Sequence, residues 1–348
     1  MLQKVSAGQF FHFYPENSEF CTYFCFFTPR TRSSVPIFSF LPQELGVLGL
    51  FLRFQALVGQ SAEKLWPNRH FCVLLQKIFI MMLKFISFGS GSSGNCYCLF
   101  TDEDGVMIDT GVGIRTLKKF FREYGLSLSA VHHILITHDH ADHVKSVGSI
   151  SCDYNLPVYA THKVHVGIEQ NCCVRNKIAP ERVKTIEKDV TIKIGDFAVT
   201  PFNVPHDSCD NVGYKVECGG ITFCLITDAG HLTEAMKQHI GAANYLVIEA
   251  NYDAEMLTSG AYPLHLQTRI SGPNGHLSNS DCAAALAENI TQRLRHVWLC
   301  HLSEENNHPE LARKTIERIL RSYGIVAGKD FLLDVLKRKT PSLLYDLE

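Results

Sequence analysis

From residue 83 the chain falls into regular apolar runs broken by turn signals. Residues 83–88, 96–100 and 105–108 read as strands, and 113–124 carries a helical apolar period closed by Gly125. Residues 131–136 form a further predicted strand. Two pairs of runs, 190–194 with 197–202 and 213–218 with 221–226, are separated by Gly195-Asp196 and Gly219-Gly220, the dipeptides of tight hairpins. The last third alternates: helix 232–240, strand 245–248, helix 280–289, strand 297–300, helix 309–323. Hairpins with interspersed helices predict a layered α/β fold rather than a purely parallel doubly wound sheet.

Residues 1–81 follow no such period. They hold 13 of the 22 Phe and not one Asp. The greasiest stretch, 45–52, is interrupted by Arg53 and Gln55 and falls short of the roughly 20 apolar residues that a membrane span needs. Lys4 is followed by Ser6, Gly8 and Gln9 instead of the apolar core of a secretory signal. The paired Met81-Met82 precedes the first convincing strand. The segment is therefore read as an anomalous N-terminal extension outside the fold, a start-site artefact or else an interfacial or partner-binding extension, and the functional domain is assigned to 82–348.

Charge and cysteine usage narrow the setting. The 13 cysteines include no C-x-x-C pair, which fits neither a disulfide framework nor a zinc ribbon, so a reducing cytoplasm is expected. The net charge is −2; residues 1–81 carry 7 Lys/Arg against 4 Asp/Glu, leaving 26 against 31, or −5, for the remainder. A nucleic-acid binder relying on a bulk positive field is not indicated, though a local groove or bound cations could attract phosphate. Two local basic runs, Arg175, Lys177, Arg182 and Lys184, then Arg313, Lys314, Arg318 and Arg321, are candidate contacts or solvated faces. Gly89-Ser-Gly-Ser-Ser-Gly94 matches a dinucleotide fingerprint literally, but a strand follows where a helix is required, so it reads as a turn between strands, either a tight loop at a sheet edge or a loop lining a nearby site.

The chemistry concentrates in Thr137-His138-Asp139-His140-Ala141-Asp142-His143, directly after a predicted strand. Imidazoles at alternate positions in a loop can point to one side, and Asp142 and His143 reach the adjacent space. Neutral imidazole and carboxylate suit zinc, manganese or iron alike. His132 and His133 read as packing or surface residues. His162, His165, His239, His265, His296 and His308 lack ligand spacing and read as solvated.

The H-x-H-x-D-H string resembles the signature of the metallo-β-lactamase fold hydrolases, and the rest of their pattern follows in order over residues 83–335. That resemblance implies a four-layer αββα sandwich of two mixed sheets flanked by helices. It implies two divalent metal ions: one on His138, His140 and His206, the other on Asp142, His143 and His301, with Asp228 bridging them. Asp109 would brace the site from a strand end. Such a pair holds a shared hydroxide and stabilises entering and leaving oxygens.

The second half narrows the substrate. Asp228 and His301 lie too close in sequence for a large inserted cap. Gly275-His-Leu-Ser-Asn279, the run from His301 to Asn307, Ser90-Gly-Ser-Ser-Gly-Asn95 and Glu249-Ala-Asn251 resemble the YycJ (WalJ) group, which implies a 5′-to-3′ exonuclease acting on DNA, on single strands or 5′ ends. His276 becomes a candidate general acid; alternatively it caps the helix that follows, where Ser278, Asn279 or Ser280 could also serve. Glu249 either orients His276 or ends a strand at the surface. Two other functions remain compatible: a metal-dependent hydrolase of a small thioester or lactone, and a non-catalytic metal-binding regulator.

Overall fold

A computed structural model describes residues 82–348; the readings made for residues 1–81 lie outside the described residues. Two seven-stranded sheets lie face to face. The first has the order β14 (Tyr345–Leu347), β1 (Leu83–Gly89), β2 (Cys96–Phe100), β3 (Gly105–Ile108), β4 (His133–Leu135), β5 (Val158–Ala160), β6 (Val183–Thr185). The second has the order β13 (Leu332–Val335), β12 (His296–Cys300), β11 (Tyr245–Glu249), β10 (Ile221–Ile226), β9 (Val212–Cys218), β8 (Phe197–Asn203), β7 (Ile192–Ile194). In the first sheet β14, β1, β2 and β3 pair antiparallel and β3 to β6 parallel; in the second, β7 to β10 pair antiparallel and β10 to β13 parallel.

The strands most central to the sandwich are apolar without alternation because both of their faces are covered. Inward faces of the two sheets meet through Phe85, Tyr97, Leu135, Tyr214, Phe223 and Trp298, with the Phe85 and Trp298 rings 4.7 Å apart. The outer face of the first sheet buries Leu117, Phe120 and Phe121 of α1 (Ile114–Glu123), then residues of α2 (Ala141–Val144), α3 (Val147–Tyr154) and α4 (His162–Gln170). The outer face of the second sheet is covered by α5 (Glu234–Ala242), α8 (Asn279–Asn289) and α9 (Pro309–Ser322). Short helices α6 (Ala254–Ser259) and α7 (Leu264–Ile270) lie between β11 and α8, and α7 buries none of its residues. Three apolar layers separating four of secondary structure are the αββα sandwich that the resemblance implied.

Both predicted hairpins form, β7 with β8 and β9 with β10. The predicted strand 131–136 contracts to β4, although backbone bonds to the same two neighbours, β3 and β5, continue just beyond its ends: His132 N donates to Gly105 O, and Ile136 N to Tyr159 O. Three histidines read as solvated are not. His165 is buried and bonds Lys184 O, His239 stacks on Phe202 at 4.0 Å, and His296 stacks on Trp298 at 4.0 Å while facing Asp334. His239 and His296 pack a ring face on an aromatic neighbour, and His165 and His296 each hold one ring nitrogen in a hydrogen bond. No described helix is long and apolar enough to cross a membrane.

Candidate metal centre

Three strands end on a residue with left-handed backbone. Asp109 after β3 has φ 61°, Asp228 after β10 has φ 54°, and His301 after β12 has φ 52°. Asp and His tolerate this region better than most residues, and its use points to a functional constraint. The surrounding bonds hold it: Asp109 N donates to Leu135 O, and His301 N donates to Ser90 Oγ at 2.9 Å. Beside them Gly111 allows α2 to come close, since a Cβ there would stand 1.5 Å from Asp142 O.

Side chains from both sheets converge at this edge. His138, His140 and His206 place ring nitrogens within 4.8 Å of one another, and a carboxylate oxygen of Asp142 lies within the same distance of ring nitrogens of His143 and His301. Asp228 lies between the two sets, its Oδ2 3.3 Å from His143 Nε2 and its Oδ1 3.5 Å from His301 Nε2 and 3.7 Å from His206 Nε2. All seven candidate ligands are thus brought together.

The residues behind them fix which nitrogen faces inward. Asp109, fully buried, accepts from Thr137 N at 2.9 Å, Thr137 Oγ1 at 2.9 Å and His143 Nδ1 at 2.7 Å, which leaves His143 Nε2 toward the centre. Thr137 Oγ1 is 3.0 Å from His138 Nδ1, and His206 Nδ1 donates to Gly275 O at 3.0 Å. His138 Nε2 is left buried with no partner at all. Burial and the neighbouring His143 push the His138 ring well below the ordinary imidazole range, and because Thr137 Oγ1 donates to Asp109 and so accepts from His138 Nδ1, Nε2 presents the lone pair. An unsatisfied buried acceptor is destabilising unless something fills it, and a cation fits this position.

Charge tells the same story. Burial opposes ionisation of Asp228, but His301 and His143 outweigh it and hold its carboxyl well below the usual range. Burial likewise opposes protonation of His301, yet Asp228, Asp142 and Glu249 raise it to about 10, and Asp109, Asp228 and Asp142 raise His143 well above its ordinary value. The carboxylates here call for positive charge, which a divalent ion supplies in place of protons.

Glu249 is not at the surface. It is fully buried at the end of β11, accepting from Ala229 N at 2.8 Å and Leu277 N at 3.1 Å through Oε2, while Oε1 is 2.8 Å from His276 Nδ1 and 3.2 Å from His301 Nδ1. Burial raises its carboxyl, but His276 and His301 bring it down to about 2. In turn Glu249 and Asp228 overcome the effect of burial and raise His276. The helix-cap alternative for His276 fails, because Ser278 caps α8 in a reciprocal capping box with Asp281.

Sequence reasoning assigned no role to several supports. Thr137 joins Asp109 to His138. Asn95 Nδ2 reaches Asp142 Oδ2 at 3.3 Å and His143 Nε2 at 2.9 Å, and Asn251 Nδ2 donates to His301 O at 2.8 Å. Ser90 and Asn95 belong to the glycine loop, which therefore lines the site. Arg269 of α7 pairs with Asp207, next to His206. Their signal was present only as membership of short motifs.

Residues 105–301 match the beta-lactamase superfamily domain. The chain is similar to Exodeoxyribonuclease YycJ of Bacillus anthracis, 35% identical over 262 residues that span 75% of this chain and 98% of that protein. It is 33% identical over 248 residues to Exodeoxyribonuclease WalJ of Streptococcus pneumoniae, spanning 71% of this chain and 92% of that one. Its fold is similar to the crystal structure of Zn(2+)-bound PqqB from Methylobacterium extorquens, with a TM-score of 0.56 and 18% identity over 76% of this chain and 100% of that chain.

Proposed function

The chain belongs to the beta-lactamase superfamily, within the group that includes YycJ and WalJ, and is a metal-dependent hydrolase; from that premise we propose that it is a DNA exonuclease that removes nucleotides from 5′ ends. Residues 82–348 constitute the hydrolase, and the free cysteines fit work in a reducing cytoplasm. Zinc and manganese both suit the donor set.

His138, His140 and His206 would hold one ion, Asp142, His143 and His301 the other, and Asp228 both. Two cations there supply Lewis-acid stabilisation of phosphoryl charge and acidify a water. The remaining work falls to the chain's own residues. Asp109 and Thr137 keep the rings of His143 and His138 in the orientation described. Glu249 holds His276 Nδ1–H, so Nε2 is the atom from which a proton would pass to the departing sugar oxygen.

The observation that carries this reading is the pairing of buried Glu249 with part-buried His276, whose Nδ1 lies 3.8 Å from Asp228 Oδ1. An alkoxide departing from phosphorus needs a proton donor; a thiolate departing from a thioester does not. A carboxylate-supported imidazole beside the ligand cluster therefore favours the phosphodiester over the thioester, and the similarity to two exodeoxyribonucleases favours it over a lactone.

The test is incubation of the manganese-loaded protein with single strands labelled at the 5′ or the 3′ end. Mononucleotide released first from the 5′ label is the expected result. No nucleotide release by metal-bound protein sinks the proposal, and release from the 3′ label reverses the assigned polarity.

A further inference from the structure

A cavity of about 580 Å³ opens beside the candidate metal centre. One wall is a face of α4, with Lys163, Val166, Gly167 and Gln170 at helical spacing; the other includes Asp139 and His140. His140 belongs to both places, since its Nδ1 lies 3.3 Å from His206 Nε2. Whatever fills the cavity therefore sits next to atoms reacting at the metals.

Asp139 stands between two candidate ligands yet belongs to the cavity. Asn171 Nδ2 donates to its carbonyl at 2.7 Å, and Cys209 N donates to Oδ1 at 3.4 Å. A Cβ on Gly167 would stand 2.3 Å from Asp139 Oδ2, so only glycine lets the helix and the carboxylate lie this close.

These walls select a ligand class. A carboxylate repels phosphate but accepts N–H and O–H groups. Val166, 42% exposed, offers an apolar surface to a flat ring, and Gln170 an amide that both donates and accepts. Lys163 is exposed and forms no ion pair among the described residues, which leaves it for a phosphate at the cavity's outer edge. The volume falls within the range of small-ligand sites, about 300–1,000 Å³.

We propose that this cavity holds one of the two nucleosides flanking the scissile phosphate, its base against Val166 and its polar edge toward Asp139 and Gln170. The assignment rests on the phosphodiesterase reading above and adds the element that distinguishes a nucleotide from a bare diester.

The experiment compares kcat/KM on an oligodeoxynucleotide with kcat/KM on bis(p-nitrophenyl) phosphate, which has no base. Val166→Trp, which fills the cavity, should lower the ratio of the two by about tenfold or more. For wild type, an abasic site at the flanking nucleotide should cost a similar factor, and the two losses should not multiply. Lys163→Glu, on the exposed surface, should lower the same ratio and serves if Val166→Trp fails to fold. An unchanged ratio in both variants, or fully multiplicative losses, overturns the assignment while leaving the exonuclease reading intact. Wild-type protein that hydrolyses the small diester but no oligonucleotide overturns both.

Discussion

Strands β3 and β4 have Asp and His at each end, and the two ends do different things. At the far end Asp104 precedes β3. It accepts from Gly105 N at 2.8 Å, Asp196 N at 3.0 Å and His132 Nδ1 at 2.7 Å, and lies 3.4 Å from His133 Nε2. One carboxylate there serves two rings and ties the first sheet to the β7–β8 turn of the second. At the near end, Asp109 and His138 to His143 meet Asp228 and His301, and carboxylates and imidazoles crowd together with ligand atoms within 4.8 Å of one another. Among the described residues, three or more metal-competent side chains converge only at the near end. Residue type alone does not make a site; surplus donor atoms facing one point do.

The largest expected effect comes from removing the residue between the two triads. Asp228→Asn should lower turnover of any phosphodiester by on the order of 10³-fold and reduce bound metal by elemental analysis. His276→Ala should lower kcat on DNA by about 10²–10⁴-fold, with much less loss on bis(p-nitrophenyl) phosphate, whose leaving group needs no proton; equal losses would contradict the acid role. Asp109→Asn, which keeps shape but loses a charge behind His143, should cost about 10–100-fold in metal affinity or activity.

The smallest effect on turnover belongs to the far end. Asp104→Asn should leave activity unchanged and lower stability by about 1–2 kcal/mol in a denaturant titration. Its pH dependence has a definite sign. Burial raises the Asp104 carboxyl, but bonds from Asp196, His132 and Gly105 outweigh that and hold it below its ordinary value. Its contribution is therefore complete above the unfolded pKa of about 4 and disappears as pH falls through the lower native value. The variant's deficit should shrink below pH ~4; a deficit that grows there would contradict the clasp.

Much of this could be read in the sequence, because apolar runs and two-residue turns are local signals. The hairpins and the helices α1, α8 and α9 followed from them. Helices α3, α4, α6 and α7 did not, being short and cut from mixed segments whose packing partners are distant. Four of the candidate ligands stand together in the H-x-H-x-D-H string, and the other three came only with the family resemblance that this string carries. Supports such as Thr137, Asn95 and Asn251 act through bonds closed only when the two sheets meet, and no spacing rule reports them. Glu249 shows the limit most clearly: end-of-strand surface residue and buried partner of two histidines look identical in one dimension.

The most direct test is calorimetric titration of the metal-stripped full chain with Zn²⁺ or Mn²⁺, run beside Asp228→Asn and His206→Ala. Two ions per wild-type chain, with stoichiometry or affinity reduced in both variants, is the predicted result. A chain that takes up no divalent ion, or that binds two equally well without Asp228 and His206, would contradict the account.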